Sequence, residues 1–206
     1  MIDQNLITKS VSTVTASLNN AKKINNQLLL INNVFPQPVF DKIKTILDYN
    51  VEWKSVQNQL ESRKMIDWIP ESIIEELHIV GQQLTAQVCQ CYNINDIYFQ
   101  ALQLWKDEST YVIKAHQDNP VIDVAMQIYL FNDKQSEGTT FIINDQEINC
   151  PFKQNTGYVL WKKSNKERIL HRITNKITGS DRITLYLTWS RFGKQAPNAN
   201  NPTAWL

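Results

Sequence analysis

The chain has 206 residues, with 21 Lys and Arg against 20 Asp and Glu and three cysteines. That length suits one domain able to bury roughly two thirds of its unfolded surface without a disulfide or structural metal, and the near-cancellation of charge excludes a general basic field of the kind that draws proteins to nucleic acid. The odd cysteine count, the lack of an apolar run of spanning length and the lack of a leader pattern are expected of a reduced, cytoplasmic chain with no membrane partner.

Residues 1–26 are rich in Ser, Thr and Asn with scattered apolar positions, which predicts an N-terminal arm with little to bury, followed by a single domain over 27–206. QLLLINNVF reads as a first strand. In PQPVFDKIKTILDYN, Phe40, Ile43 and Leu47 recur at helical spacing behind a proline start. From Pro70 to Cys91 the positions Ile73, Ile74, Leu77, Leu84 and Val88 predict one longer amphipathic helix, with Ser72 and Glu75 able to form a capping box. His78 lies on that helix as a boundary residue, and Cys89 and Cys91 point to different sides of it. After Asn95 the texture changes to short runs rich in β-branched and aromatic residues: IYFQALQLW, TYVIKAH, DVAMQIYL, TTFII, EINC, GYVLW, LHRIT and RITLYLTW. Helices first and many short strands after predict an α+β chain, a sandwich or barrel with helices covering one sheet. Trp205 and Leu206 end a loop-like tail.

The chemistry sits in the second half. In an extended strand His116 and Asp118 of AHQDNP project to one face, so the pair can hold a metal from one side. His171 in ERILHRIT is the only other histidine of the strand-rich half, and two histidines with one carboxylate leave positions open on iron(II) for an organic cosubstrate and dioxygen. In DRITLYLTW the period of two puts Arg182, Thr184, Tyr186 and Thr188 on one face and Ile183, Leu185, Leu187 and Trp189 on the other. A half-exposed strand turns such a polar face to solvent. A strand lining a barrel turns it inward, where the guanidinium of Arg182 can grip a carboxylate with Thr184 beside it.

The order His116, Asp118, a gap of about fifty residues, His171, then Arg182 eleven positions on resembles the iron(II)- and 2-oxoglutarate-dependent dioxygenases over residues 98–190. IYLFNDKQSEGTTF and PFKQNTGYVLWKK resemble the family's intervening strands, with Glu137 where a glycine often stands, and HQDNP is similar to the prolyl hydroxylases of the oxygen-sensing type. The resemblance implies a double-stranded β-helix, or jelly roll, with iron(II) on His116, Asp118 and His171. It implies 2-oxoglutarate held by Arg182, Thr184 and the hydroxyl of Tyr129, with dioxygen as co-reactant and ascorbate as reductant. It also implies a hydroxylase, since halogenating relatives lack the carboxylate that Asp118 supplies. A core aromatic is the competing reading of Tyr129.

The sequence departs from the family at Trp105 and KDEST, where a tyrosine and a glycine turn are usual, and Tyr111 matches only with a shift. Collagen-type prolyl 4-hydroxylases resemble the pattern but usually carry Lys at the position of Arg182. Lys162, Lys163, Lys166 and Arg168 read as a solvated basic turn. A peptidyl proline is the substrate the resemblance favours. The alternatives are a free amino acid or other small molecule, or a jelly-roll module that binds without turnover; a nucleic-acid substrate fits the balanced charge poorly.

Overall fold

The computed structural model describes residues 2–48, 53–55, 63–66, 71–108, 111–119, 121–131, 136–162, 169–173 and 181–191. Helix α1 spans Gln4–Asn19, and Asp3 caps it by accepting the Leu6 N–H at 3.0 Å. Its buried stripe is Leu6, Ile7, Ser10, Val14, Ser17 and Leu18. The two serines sit dry because each finds an acceptor: Ser10 donates to the Leu6 carbonyl at 2.6 Å and Ser17 to the Asn32 carbonyl at 2.7 Å. The stretch expected over residues 1–26 as an arm or partly ordered extension with little to bury is at residues 4–19 a helix that buries six side chains. A stripe that is one-third serine reads as polar in sequence yet packs in the main core.

Strand β1 (Lys22–Lys23) pairs with β2 (Leu28–Asn32), and α2 (Gln37–Asp48) buries Val39, Phe40 and Ile43. The single helix expected from Pro70 to Cys91 is two, α3 (Glu71–Gln83) and α4 (Thr85–Tyr92), parted at Leu84. The indole N–H of Trp189 donates to the Thr85 hydroxyl there, at 3.1 Å. The side chain of Ser72, and with it the expected capping box, lies outside the described residues.

The remaining strands are β3 (Trp53–Ser55), β4 (Arg63–Ile66), β5 (Tyr98–Asp107), β6 (Ile113–His116), β7 (Val124–Phe131), β8 (Ser136–Ile143), β9 (Gln146–Phe152), β10 (Thr156–Trp161), β11 (Leu170–Ile173) and β12 (Arg182–Ser190). They form two antiparallel sheets, one ordered β1-β2-β10-β7-β12-β5-β4-β3 and one ordered β6-β11-β8-β9. Period-two alternation assigns the faces. Val124, Met126, Ile128 and Leu130 of β7, with Leu185, Leu187 and Trp189 of β12, join the helices in one core cluster. The opposite face meets the smaller sheet: Tyr129, Tyr158 and Leu160 pack with Phe141, Cys150 and Phe152. Two close approaches hold the strands together. A Cβ on Gly138 would lie 1.8 Å from the Cys150 carbonyl oxygen, and one on Gly157 would lie 2.0 Å from that of Gln127. Among the described residues no helix is long and apolar enough to cross a membrane.

Candidate metal centre

β6 and β11 are antiparallel neighbours with His116 directly opposite His171, so both imidazoles leave the same face and their ring centroids lie 4.3 Å apart. Asp118, two residues past His116, turns one carboxylate oxygen, Oδ1, to within 3.3 Å of His171 Nε2. One ligand atom from each of His116, Asp118 and His171 lies within 4.8 Å of the others. The Nδ1 of His116 sits 2.9 Å from the Lys114 carbonyl, which fixes the proton there and leaves Nε2 a free lone pair. Burial, then the neighbouring His171, lower the pKa of His116 and favour the neutral form a metal requires. Burial alone would raise Asp118, but His171 and Lys162 outweigh it and hold the carboxyl well below the usual range. The donor set, two imidazoles and one carboxylate on one face, fits a divalent transition metal.

Lys162 is not the solvated residue expected of a basic turn. Its side chain is 4% exposed, and its ammonium lies 3.2 Å from the other Asp118 oxygen, Oδ2, and donates to the Asn119 carbonyl at 3.2 Å. A short apolar run followed by two lysines gives no sign that the first continues inward behind β10. Lys163, Lys166 and Arg168 lie outside the described residues, as do Pro120, the tail ending in Trp205 and Leu206, and the side chain of Glu137.

On β12 the polar face points inward. Arg182 and Thr184 are fully buried, and Tyr186 hydrogen-bonds Asp118. Arg182 does not stand alone: its register partner on β5 is Asp107, which also pairs with Arg63 on β4. Arg182 donates from Nε (3.0 Å) and Nη2 (2.5 Å) to Asp107 Oδ2, while Arg63 donates from Nε to Oδ1 at 2.6 Å and from Nη2 to Oδ2 at 3.2 Å. Two guanidiniums on one carboxylate leave a buried net charge of +1. Arg182 Nη1 and the hydroxyl of Tyr111 are buried without a hydrogen-bond partner among the described residues. Tyr111 lies under both guanidiniums, its ring centroid 4.5 Å from Arg63 Cζ and 5.9 Å from Arg182 Cζ, and Trp105 flanks Arg63 at 4.9 Å. Burial first, with Asp107 adding, pushes the Tyr111 phenol up to about 12 against the opposing arginines, so it is a donor at neutral pH. One anion, arriving here, would meet two idle donors and an uncompensated charge.

The other two expected cosubstrate residues are otherwise engaged. Thr184 Oγ1 accepts from Gln127 Nε2 at 3.1 Å, which leaves its own proton to give. Tyr129 donates to Thr139 Oγ1 at 2.9 Å and accepts from the Thr139 N–H at 3.0 Å, so its hydroxyl is used on both sides. His78 stands apart, half-buried and edge-on to Phe99 at 4.9 Å, as expected of a boundary histidine. Cys89, Cys91 and Cys150 are free thiols.

No protein-family model and no curated relative match the sequence. Solved structures do match in shape. An oxidoreductase of the 2OG-Fe(II) oxygenase family from Burkholderia pseudomallei is 12% identical, covers 93% of each chain and has a TM-score of 0.59. HygX from Streptomyces hygroscopicus, solved with nickel, 2-oxoglutarate and hygromycin B bound, is 11% identical over 80% of this chain and 82% of its own, at 0.60. A Pseudomonas putida prolyl-4-hydroxylase is 12% identical over 88% of this chain and 99% of its own, at 0.59. The chain has the fold of the 2-oxoglutarate and iron(II) oxygenases, prolyl hydroxylases among them.

Proposed function

We propose that the chain is an iron(II)- and 2-oxoglutarate-dependent dioxygenase, built on a double-stranded β-helix, that hydroxylates a C–H bond. The observation that carries this reading is the convergence of His116 and Asp118 from one stretch of the sequence and His171 from another, about fifty residues on, on one point. In support, the described residues hold a cationic cluster of two guanidiniums on one carboxylate, with Arg182 Nη1 and the Tyr111 hydroxyl buried and unpartnered among them. Bound iron(II) with dioxygen supplies the oxidising power, one oxygen atom going to succinate as 2-oxoglutarate loses carbon dioxide and the other to the substrate.

The chain's own part is binding and orientation. The Lys114 carbonyl holds the His116 ring so that Nε2 faces the metal. Arg182, already aligned by Asp107, presents Nη1 to the distal carboxylate of the cosubstrate, and Tyr111 donates its hydroxyl beside it. The hydroxyl role that the resemblance gave to Tyr129 passes to Tyr111, because the proton of Tyr129 is already given to Thr139. Thr184, accepting from Gln127, turns its remaining proton inward.

For substrate we favour a peptidyl proline, which the HQDNP resemblance and the likeness in shape to a prolyl-4-hydroxylase support. A small molecule is the second reading, since HygX, as similar in shape, was solved with hygromycin B bound. The test is incubation of the iron-loaded chain with 2-oxoglutarate and panels of proline peptides, free amino acids and aminoglycosides, scored by mass. A gain of one oxygen with matching succinate in the peptide panel is the expected result. Oxygen gained only by a small molecule moves the substrate to the second reading, and no 2-oxoglutarate-dependent product from any panel contradicts the hydroxylase.

A further inference from the structure

Lys162 touches Asp118, as the Tyr186 hydroxyl does, but it alone among the described residues brings the carboxylate a side-chain ammonium, and the expected chemistry gives that charge no task. It sits just past β10, its backbone N–H held by the Asp123 carbonyl at 2.8 Å and its ammonium by Asp118 Oδ2 and the Asn119 carbonyl, both at 3.2 Å. The two oxygens of Asp118 are thereby divided: Oδ1 faces His171 Nε2 at 3.3 Å, and Oδ2 faces the ammonium. A carboxylate free at both oxygens can chelate a metal through both. One tethered at Oδ2 offers a single oxygen and keeps an extra coordination position open.

Charge makes the second half of the case. The charges of Asp118 and Lys162 cancel, so the pair gives an arriving cation no net attraction. A divalent metal on this site leaves a local charge of +2, where Asp118 alone would leave +1. The Arg63, Asp107 and Arg182 cluster adds a further +1 in the same interior. A cation alone is weakly held in such surroundings, whereas a cation arriving with a chelating dianion is not.

We propose that Lys162 is a positioning residue that limits Asp118 to one metal-binding oxygen and makes retention of the metal conditional on an anionic 2-oxoacid chelator. The inference rests on the proposed metal site and deepens it. Binding is reciprocal, so if 2-oxoglutarate tightens the metal by some factor, the metal tightens 2-oxoglutarate by the same factor, and Lys162 sets a large part of it.

The test is calorimetric titration of the full chain with cobalt(II), with and without saturating 2-oxoglutarate, in wild type, Lys162→Met, Lys162→Arg and His171→Ala. Lys162→Met removes the ammonium, and cobalt alone is then expected to bind about tenfold tighter, while the gain from 2-oxoglutarate shrinks by about the same factor. Lys162→Arg keeps the charge and is expected to keep the wild-type coupling, which guards against a folding defect in the methionine variant. The cobalt(II) visible spectrum gives an independent reading: the methionine variant is expected to shift toward higher coordination as Oδ2 joins the metal. Unchanged or weaker cobalt binding in a folded Lys162→Met chain, or an unchanged coupling factor, overturns the inference while leaving the metal site in place. If the wild-type chain binds no cobalt, or His171→Ala binds it equally well, the proposed metal site itself falls, and this inference with it.

Discussion

At the level of single side chains, two tyrosines offer a test of the proposed cosubstrate binding against packing. The Tyr111 hydroxyl has no hydrogen-bond partner among the described residues, whereas that of Tyr129 satisfies both the N–H and the hydroxyl of Thr139. Tyr111→Phe is expected to leave stability within about 0.5 kcal/mol and to raise the KM for 2-oxoglutarate several-fold. Tyr129→Phe is expected to strand the buried Thr139 N–H, cost about 1–3 kcal/mol of stability and leave that KM nearly unchanged. Melting curves with steady-state kinetics check both, and the reverse pattern would return the hydroxyl role to Tyr129. Arg182→Ala is expected to raise the same KM by roughly 10- to 150-fold, the worth of about 1.5–3 kcal/mol for a charge-assisted contact. That His116, Asp118 and His171 come together was legible in sequence because ligand chemistry allows few residue types. Lys162, Arg63 and Asp107 were not, since a surface lysine and a buried one look alike in a string, and pairing across β4, β5 and β12 is a matter of register.

Register is also what makes the site an arrangement of elements. His116 faces His171 only while β6 and β11 keep their pairing, and a slip by one residue would send one imidazole to the opposite face. On the larger sheet, Asp107 ties β5 to β4 through Arg63 and to β12 through Arg182, each in direct register. Asp107→Asn leaves two guanidiniums facing each other without a buried counter-charge and is expected to cost about 3–5 kcal/mol. Chemical denaturation measures this, and an unchanged midpoint would show that the cluster is not what joins these strands. The two faces of β12 were legible because eight consecutive positions, 182–189, keep the period of two; that the polar face is the inward one shows only in the structure, where Arg182, Thr184 and Thr188 are buried. The break at Leu84 was not foreseen, since the apolar spacing runs through it with no proline and the one glycine, Gly81, falls three residues earlier. The serines of α1 hid a buried face because residue type signals burial only when the polar atoms lack local acceptors.

Across the whole molecule, protonation ties the sites to stability. Burial lowers His78, and burial with His171 lowers His116, both from 6.5, so the unfolded chain binds more protons than the folded one just below that pH. Asp107 and Asp118 lie below 3.8, their neighbouring cations outweighing burial, so the stability they contribute is present above that value and is lost as pH falls through their folded pKa. The metal-free chain is therefore expected to lose stability in two stages on acidification, a shallow one below about pH 6.5 and a steeper one below about pH 4. Thermal melts across that range check it, and a chain that gains stability between about pH 6.5 and 5 would contradict the lowered pKa of the half-buried His78 and His116.

Anaerobic addition of iron(II) and then 2-oxoglutarate to the purified chain, followed by visible absorption, tests directly whether His116, Asp118 and His171 hold one metal whose open positions are completed by a 2-oxoacid anchored on Arg182. A weak charge-transfer band is expected that saturates at one iron and one 2-oxoglutarate per chain and is absent in His171→Ala. A folded wild-type chain that develops no band, or a His171→Ala chain that develops it fully, would overturn the assignment of the metal and its cosubstrate.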